Sequence, residues 1–102
     1  MARPLTSKRE VVGMMHAIHA LVTAYCLRGI TASGRYVHSG SAAIDRLIWR
    51  FGTHFYIPAM LRSVVADDTG SAVRGLHIDV WTPDCKEATR WGARRVLVYV
   101  GG

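Results

Sequence analysis

The chain has 102 residues, room for one domain with a modest core, and its 50% hydrophobic content with three Trp, four Tyr and two Phe excludes an extended disordered chain. Thirteen Lys and Arg against seven Asp and Glu give a formal charge of +6, which favours anionic partners without choosing among them. Phosphate-loop, dinucleotide, EF-hand and zinc-finger spacings are absent, so no cofactor is expected.

Residues 1–6 read as a flexible N-terminal tail on a single domain spanning 1–102. From Ser7 to Gly29 the period is helical: Val11, Met14, Met15, Ile18, Leu21, Val22 and Tyr25 fall on one arc. Ser7 with Glu10 has capping-box spacing, and Arg28 followed by Gly29 marks an end. A stripe of Gly13, Ala17, Ala20 and Ala24 offers a close-packing face within the fold or between two copies. His16 and His19, three residues apart, together with Cys26 are weak metal candidates, because helical spacing brings only the first pair together. Val11 to Leu27 approaches the minimum for a membrane span, about 17 residues, but two histidines and a one-sided apolar face argue against lipid. The basic start lacks a good small-residue cleavage signal, so neither a membrane nor a targeting segment is expected.

Ile30 to Gly40 is turn-rich, with Tyr36 to His38 as a short extended piece. Ser41 to Phe51 predicts a second helix with Ile44, Leu47, Ile48 and Phe51 inward and Gly52 as its stop. Arg46 and Arg50 flank Trp49 on its outer side, the residue types of a binding hot spot. Pro58 to Asp67 predicts a third helix, with Pro58 at its first position. Leu76, Ile78 and Val80 alternate with His77, Asp79 and Trp81, the period of a strand with one buried face. Thr82-Pro83-Asp84 opens a short helix that Gly92 closes, and Arg95 to Val100 reads as a central strand.

These elements predict an α+β fold: three or four helices packed on a small two- or three-stranded sheet, with a C-terminal strand-helix-strand unit of parallel strands. A third strand would come from near Tyr36, from His54 to Ile57, or from another copy, leaving a sheet edge as a homodimer site. Cys26 and Cys85, without a CxxC, are expected as reduced thiols in a cytoplasmic protein.

No acids pair on a recognisable catalytic framework, Asp67-Asp68 being read as a helix end, so an enzyme is not expected. The minor alternative is a hydrolase-like set of Cys85, His77 and Asp79, with Cys85 in the first turn of the short helix. The leading expectation is a small non-enzymatic protein-binding module that acts through Arg46, Trp49, Arg50, Trp91 and Arg94. In kind it resembles the regulators or inhibitors of larger host complexes carried by phages and mobile elements. The alternative is a basic nucleic-acid-binding protein using the same Arg and Trp surface.

Overall fold

The structure is a computed structural model and describes residues 15–101. The expected tail and the first part of the first expected helix, Gly13 included, lie outside these residues. The elements are β1 (His16–Tyr25), β2 (Ser41–Ala43), β3 (His54–Ile57), a 3-10 turn (Pro58–Met60), β4 (Arg62–Asp68), β5 (His77–Trp81), α1 (Cys85–Trp91) and β6 (Ala93–Gly101). They close into a six-stranded barrel in the order β1-β5-β2-β4-β3-β6. Two pairings are parallel, β1 with β5 and β2 with β4, and the rest are antiparallel.

This overturns the helix-rich α+β expectation. Residues 16–25 satisfy two periods at once, since most side chains are apolar, and the period of two wins. Ala20 and Val22 are sealed inside, while His19, Leu21 and Thr23 turn outward, and β-branched Ile18, Val22 and Thr23 suit a pleated strand. Residues 58–67 behave alike: Pro58 starts only one 3-10 turn, Leu61 turns left-handed, and Val64 and Ala66 then alternate inward along β4. The expected second helix shrinks to β2 and one turn, in which the Ile48 and Trp49 amides both donate to the Asp45 carbonyl. Leu47, expected in the core, is 89% exposed.

The C-terminal third follows its sequence pattern more closely. β5, α1 and β6 lie where expected, but the helix starts two residues later than Thr82-Pro83 implies, with Asp84 instead of Thr82 as its N-cap, accepting from the Lys86 amide. However, β5 and β6 do not pair with each other. Both flank β1, β5 in parallel and β6 antiparallel, so β1 occupies the place that strand-helix-strand logic left empty.

Twelve buried residues from all six strands and the loop after β2 fill the interior, among them Ile44, Phe55, Ile57, Ile78, Val80 and Val98 at 0% exposure. Each fully buried aliphatic or aromatic side chain contributes roughly 1.5–3 kcal/mol. Among the described residues the closed barrel leaves no open sheet edge of the kind expected for pairing copies.

The cysteines are not free thiols. Cys26, just beyond β1, is bonded to Cys85 at the start of α1, closing a loop across a separation of 59 residues. No helix among the described residues is long and apolar enough to cross a membrane.

Candidate active site

Parallel pairing of β1 with β5 sets Thr23 opposite Asp79 and Leu21 opposite His77. Residues two apart on a strand share a face, so Thr23, Tyr25, His77 and Asp79 form one polar cluster on the outside of an apolar barrel wall. Thr23 Oγ1 lies 2.7 Å from Asp79 Oδ1, to which it donates, and 2.7 Å from His77 Nε2. Asp79 Oδ2 has no protein hydrogen bond among the described residues, and no cation pairs with the carboxyl there. Burial first, then the charge of Asp68, holds the Asp79 carboxyl above the usual carboxylate range, against the Thr23 hydrogen bond and His77.

Asp68 arrives from β4 by way of a bulge. Ala42 of β2 pairs with Ala66, but Ala43 pairs with Asp68, so Asp67 is the extra residue and both acids can turn to separate tasks. Asp67 is buried and accepts from the Ser41 hydroxyl at 2.7 Å and the Ala42 amide at 3.2 Å, fixing β2 in place. Three donors hold Asp68: the Ala32 amide at 2.9 Å, the Thr69 amide at 2.9 Å and the Tyr25 hydroxyl at 3.1 Å. Burial, followed by the charge of Asp68, raises Tyr25 far above the ordinary phenol range, so it stays a donor. Asp68 and Asp79 share a cleft of about 240 Å³ with Tyr25, Val37, Ala43 and Ile30.

The 26–37 loop forms one wall of this cleft. Its base is pinned by the Trp81 indole, which donates to the Leu27 carbonyl at 2.9 Å, with the Arg28 guanidinium over the ring at 5.3 Å. Ile30 bridges to Tyr36, and Ala32 is tied to Asp68, so the loop is a small hairpin anchored on the site it covers. Leu27, Ile30 and Tyr36 remain 78%, 69% and 57% exposed, an apolar rim beside two acids. Asp45 is structural: it accepts from the amides of Gly75 and Leu47, which, with Arg74, hold its carboxyl below the usual range.

The expected site residues are distributed differently. His77 and Asp79 of the hydrolase-like set do come together, but Cys85 is oxidised and cannot be a nucleophile. His16 and His19 are an odd number apart on a strand and face opposite sides, Cys26 is bonded to Cys85, and no metal-holding group of His, Cys, Asp or Glu occurs among the described residues. Ala17 likewise parts company with Ala20 and Ala24. Arg94 stacks 4.2 Å from the Trp91 ring, and both line a second cleft of about 270 Å³ with Arg62 and Arg90. Trp49 packs edge-on against Phe55, and Arg46 sits over Phe51, whereas Arg50 is exposed. The sequence gives Thr23, Tyr25 and Asp68 no expected role in a site. Reading 16–25 as a strand would have paired Thr23-x-Tyr25 with His77-x-Asp79.

A profile of the 3D domain family matches residues 40–101, which carry five of the six strands and both Asp68 and Asp79. The chain belongs to the 3D domain family. Its closed barrel is the double-psi β-barrel of that family. The chain is 31% identical over 78 residues to the cell wall-binding protein YocH of Bacillus subtilis (strain 168), covering 72% of this chain and 27% of YocH. Among solved structures, E. coli MltA superposes with a TM-score of 0.55 at 26% identity over 71% of this chain and 27% of MltA. An aspartate-to-alanine variant of the E. coli lytic transglycosylase MltA gives 0.56 at 23% identity over 72% of this chain, and shows the shared fold. The chain thus spans about a quarter of the length of these relatives.

These relationships overturn two expectations. Membership of the 3D domain family, with similarity to a cell wall-binding protein and to MltA, overturns the expectation of a phage-borne inhibitor, and the expectation that the chain is not an enzyme is overturned with it. Of the two acids expected at a helix end, Asp68 is one half of a two-carboxyl cleft, while Asp67 holds β2.

Proposed function

We propose that this barrel acts on cell-wall glycan, with Asp79 as the general acid and base of glycosyl transfer. The observation that carries this reading is the pairing of two unlike carboxyls in one cleft. Asp79 is half-buried and pushed up, with no Lys or Arg paired to it among the described residues, whereas Asp68 is held by three donors. Glycoside cleavage needs an acid that still holds a proton near neutrality, to protonate the leaving oxygen as the glycosidic bond breaks. Asp79 Oδ2 is open for that transfer. The resulting carboxylate then takes the proton of the attacking hydroxyl, restoring the acid, so the cycle closes without an external proton. Asp68, anchored nearby, lends negative charge to the oxocarbenium-like transition state. The apolar rim of Leu27, Ile30 and Tyr36 gives a sugar ring a surface to lie on.

The disulfide supports a site of action outside the reducing cytoplasm, where such bonds persist. A suspension of purified cell wall tests the catalytic reading: the wild-type chain clears it and the Asp79→Asn chain does not.

A second reading, adhesion to the wall without cleavage, is favoured by the resemblance to a cell wall-binding protein and by the cleft of Trp91, Arg94, Arg90 and Arg62. Its arginines suit an anionic polymer through bidentate, salt-sensitive contacts. Loss of wall sedimentation in an Arg90→Ala, Arg94→Ala chain, with clearing activity absent from the wild type, would favour this reading.

A further inference from the structure

One hydroxyl joins the two titratable groups of β5. Thr23 Oγ1 lies 2.7 Å from both His77 Nε2 and Asp79 Oδ1, and a hydroxyl has a single proton to give. Two arrangements that differ in the direction of the chain satisfy both contacts, besides the one in which Nε2–H donates to Thr23 and the acid keeps its proton on Oδ2. In the first, His77 Nε2–H donates to Thr23, which donates to a carboxylate at Asp79. In the second, a protonated Asp79 donates to Thr23, which donates to a bare Nε2. We propose that His77 is the positioning residue of this site: acting through the Thr23 hydroxyl, it sets whether the Asp79 carboxyl holds its proton. This deepens the glycosyl-transfer reading and rests on it for its purpose.

Passage between the arrangements balances. One proton leaves Nε2 for Oγ1 while the proton of Oγ1 moves to Oδ1, so an imidazolium and a carboxylate become a neutral imidazole and a carboxylic acid. The register fixes the relay, because Thr23 pairs with Asp79 and the preceding outward residue, Leu21, pairs with His77. Both groups are partly withdrawn from solvent, which strengthens their coupling. The surrounding charges are identifiable. Tyr25 on β1 and Asp68 on β4 lie on the cleft side, Arg28 comes from the covering loop, and Arg95 on β6 shares the face of Leu21 by register. The neighbour from β2, Ala43, carries no charge. His77 is thus the titratable group that reaches Asp79 through a shared hydroxyl, while Asp68 acts on it through space.

The test reads the carboxyl carbon of Asp79 by NMR as pH is varied, on the whole chain and without glycan. The wild-type curve is expected to show a second inflection, shared with the ring signals of His77 followed in the same experiment. In His77→Gln that inflection disappears, and the main midpoint rises by about one pH unit because the cation that favoured the carboxylate is gone. Thr23→Val loses the inflection and also moves the midpoint up, since it removes a hydrogen bond to the carboxylate. Thr23→Ser, which keeps the hydroxyl, restores both. A single wild-type inflection, or a His77→Gln curve that superposes on the wild type, would overturn the proposal. If Thr23→Val fails to fold, the His77→Gln curve decides alone. Clearing of cell wall by the Asp79→Asn chain would refute the catalytic reading while leaving the measured coupling intact, so the two failures are distinguishable.

Discussion

Removing the Cys26–Cys85 bond is the perturbation whose cost can be worked most directly. The bond closes a loop across 59 residues, from the end of β1 to the first residue of α1. Chain-entropy accounting for a loop of that size gives about 4 kcal/mol of stabilisation at 25 °C, acting through the unfolded state. For a domain of this size each kcal/mol moves the melting point by about 4–8 °C, so the paired Cys26→Ser, Cys85→Ser chain should melt roughly 20 °C lower. Both residues are replaced together so that neither leaves a lone thiol. Guanidinium unfolding followed by tryptophan fluorescence measures the loss, and the wild-type chain with a reductant should match the double variant. The bond also fixes the base of the loop that walls the Asp79 cleft, so amide exchange in residues 26–37 should quicken more than in β6. A double variant within about 1 kcal/mol of the oxidised wild type would show that the bond contributes far less than its loop length implies.

Asp79→Asn should stabilise the fold at neutral pH. The folded state holds the Asp79 proton more tightly than the unfolded chain, so this group's contribution is fully present below the unfolded carboxylate value and is lost as pH rises through the folded one. The Asn chain carries no such loss, and its advantage in urea titrations should shrink to nothing on acidification through the ordinary carboxylate range. Leu61→Gly should be neutral to stabilising by up to about 1 kcal/mol, since Leu61 sits left-handed at φ 53° and 83% exposed and relief of that strain outweighs or equals the entropy that glycine adds to the unfolded chain. Phe55→Ala should cost about 3–5 kcal/mol in the same titration, because Phe55 is wholly buried and supports Trp49 edge-on at 5.0 Å.

Legibility varied along the chain with how strictly one period was written. His77 to Trp81 alternates without ambiguity, and Thr82-Pro83-Asp84 with Gly92 brackets α1, so this third could be read directly. Residues 16–25 could not, because an apolar run with small residues on both faces fits a helical arc as well as a pleat. The choice is made by partners: β5 and β6 flank β1 and satisfy its backbone, which no local pattern records. Asp67 and Asp68 illustrate the same limit at the site. On a helix end they are solvated caps. On a bulged strand one is buried against Ser41 and the other faces Asp79. His77 and Asp79 were recognised as sharing a face, but the hydroxyl that joins them came from the segment assigned the wrong period. Cys85 was given a role as a thiol because its bond partner lies 59 residues away.

The central claim, that Asp79 is the acid of glycosyl transfer, is tested most directly by the initial rate at which soluble saccharide is released from purified cell wall. Wild type and Asp79→Asn are compared at equal concentrations of folded chain, with sedimentation on the wall measured in parallel. The expected rate for Asp79→Asn is about 10²–10⁴-fold lower with sedimentation unchanged, as befits loss of a general acid. Equal release by the two chains would contradict it.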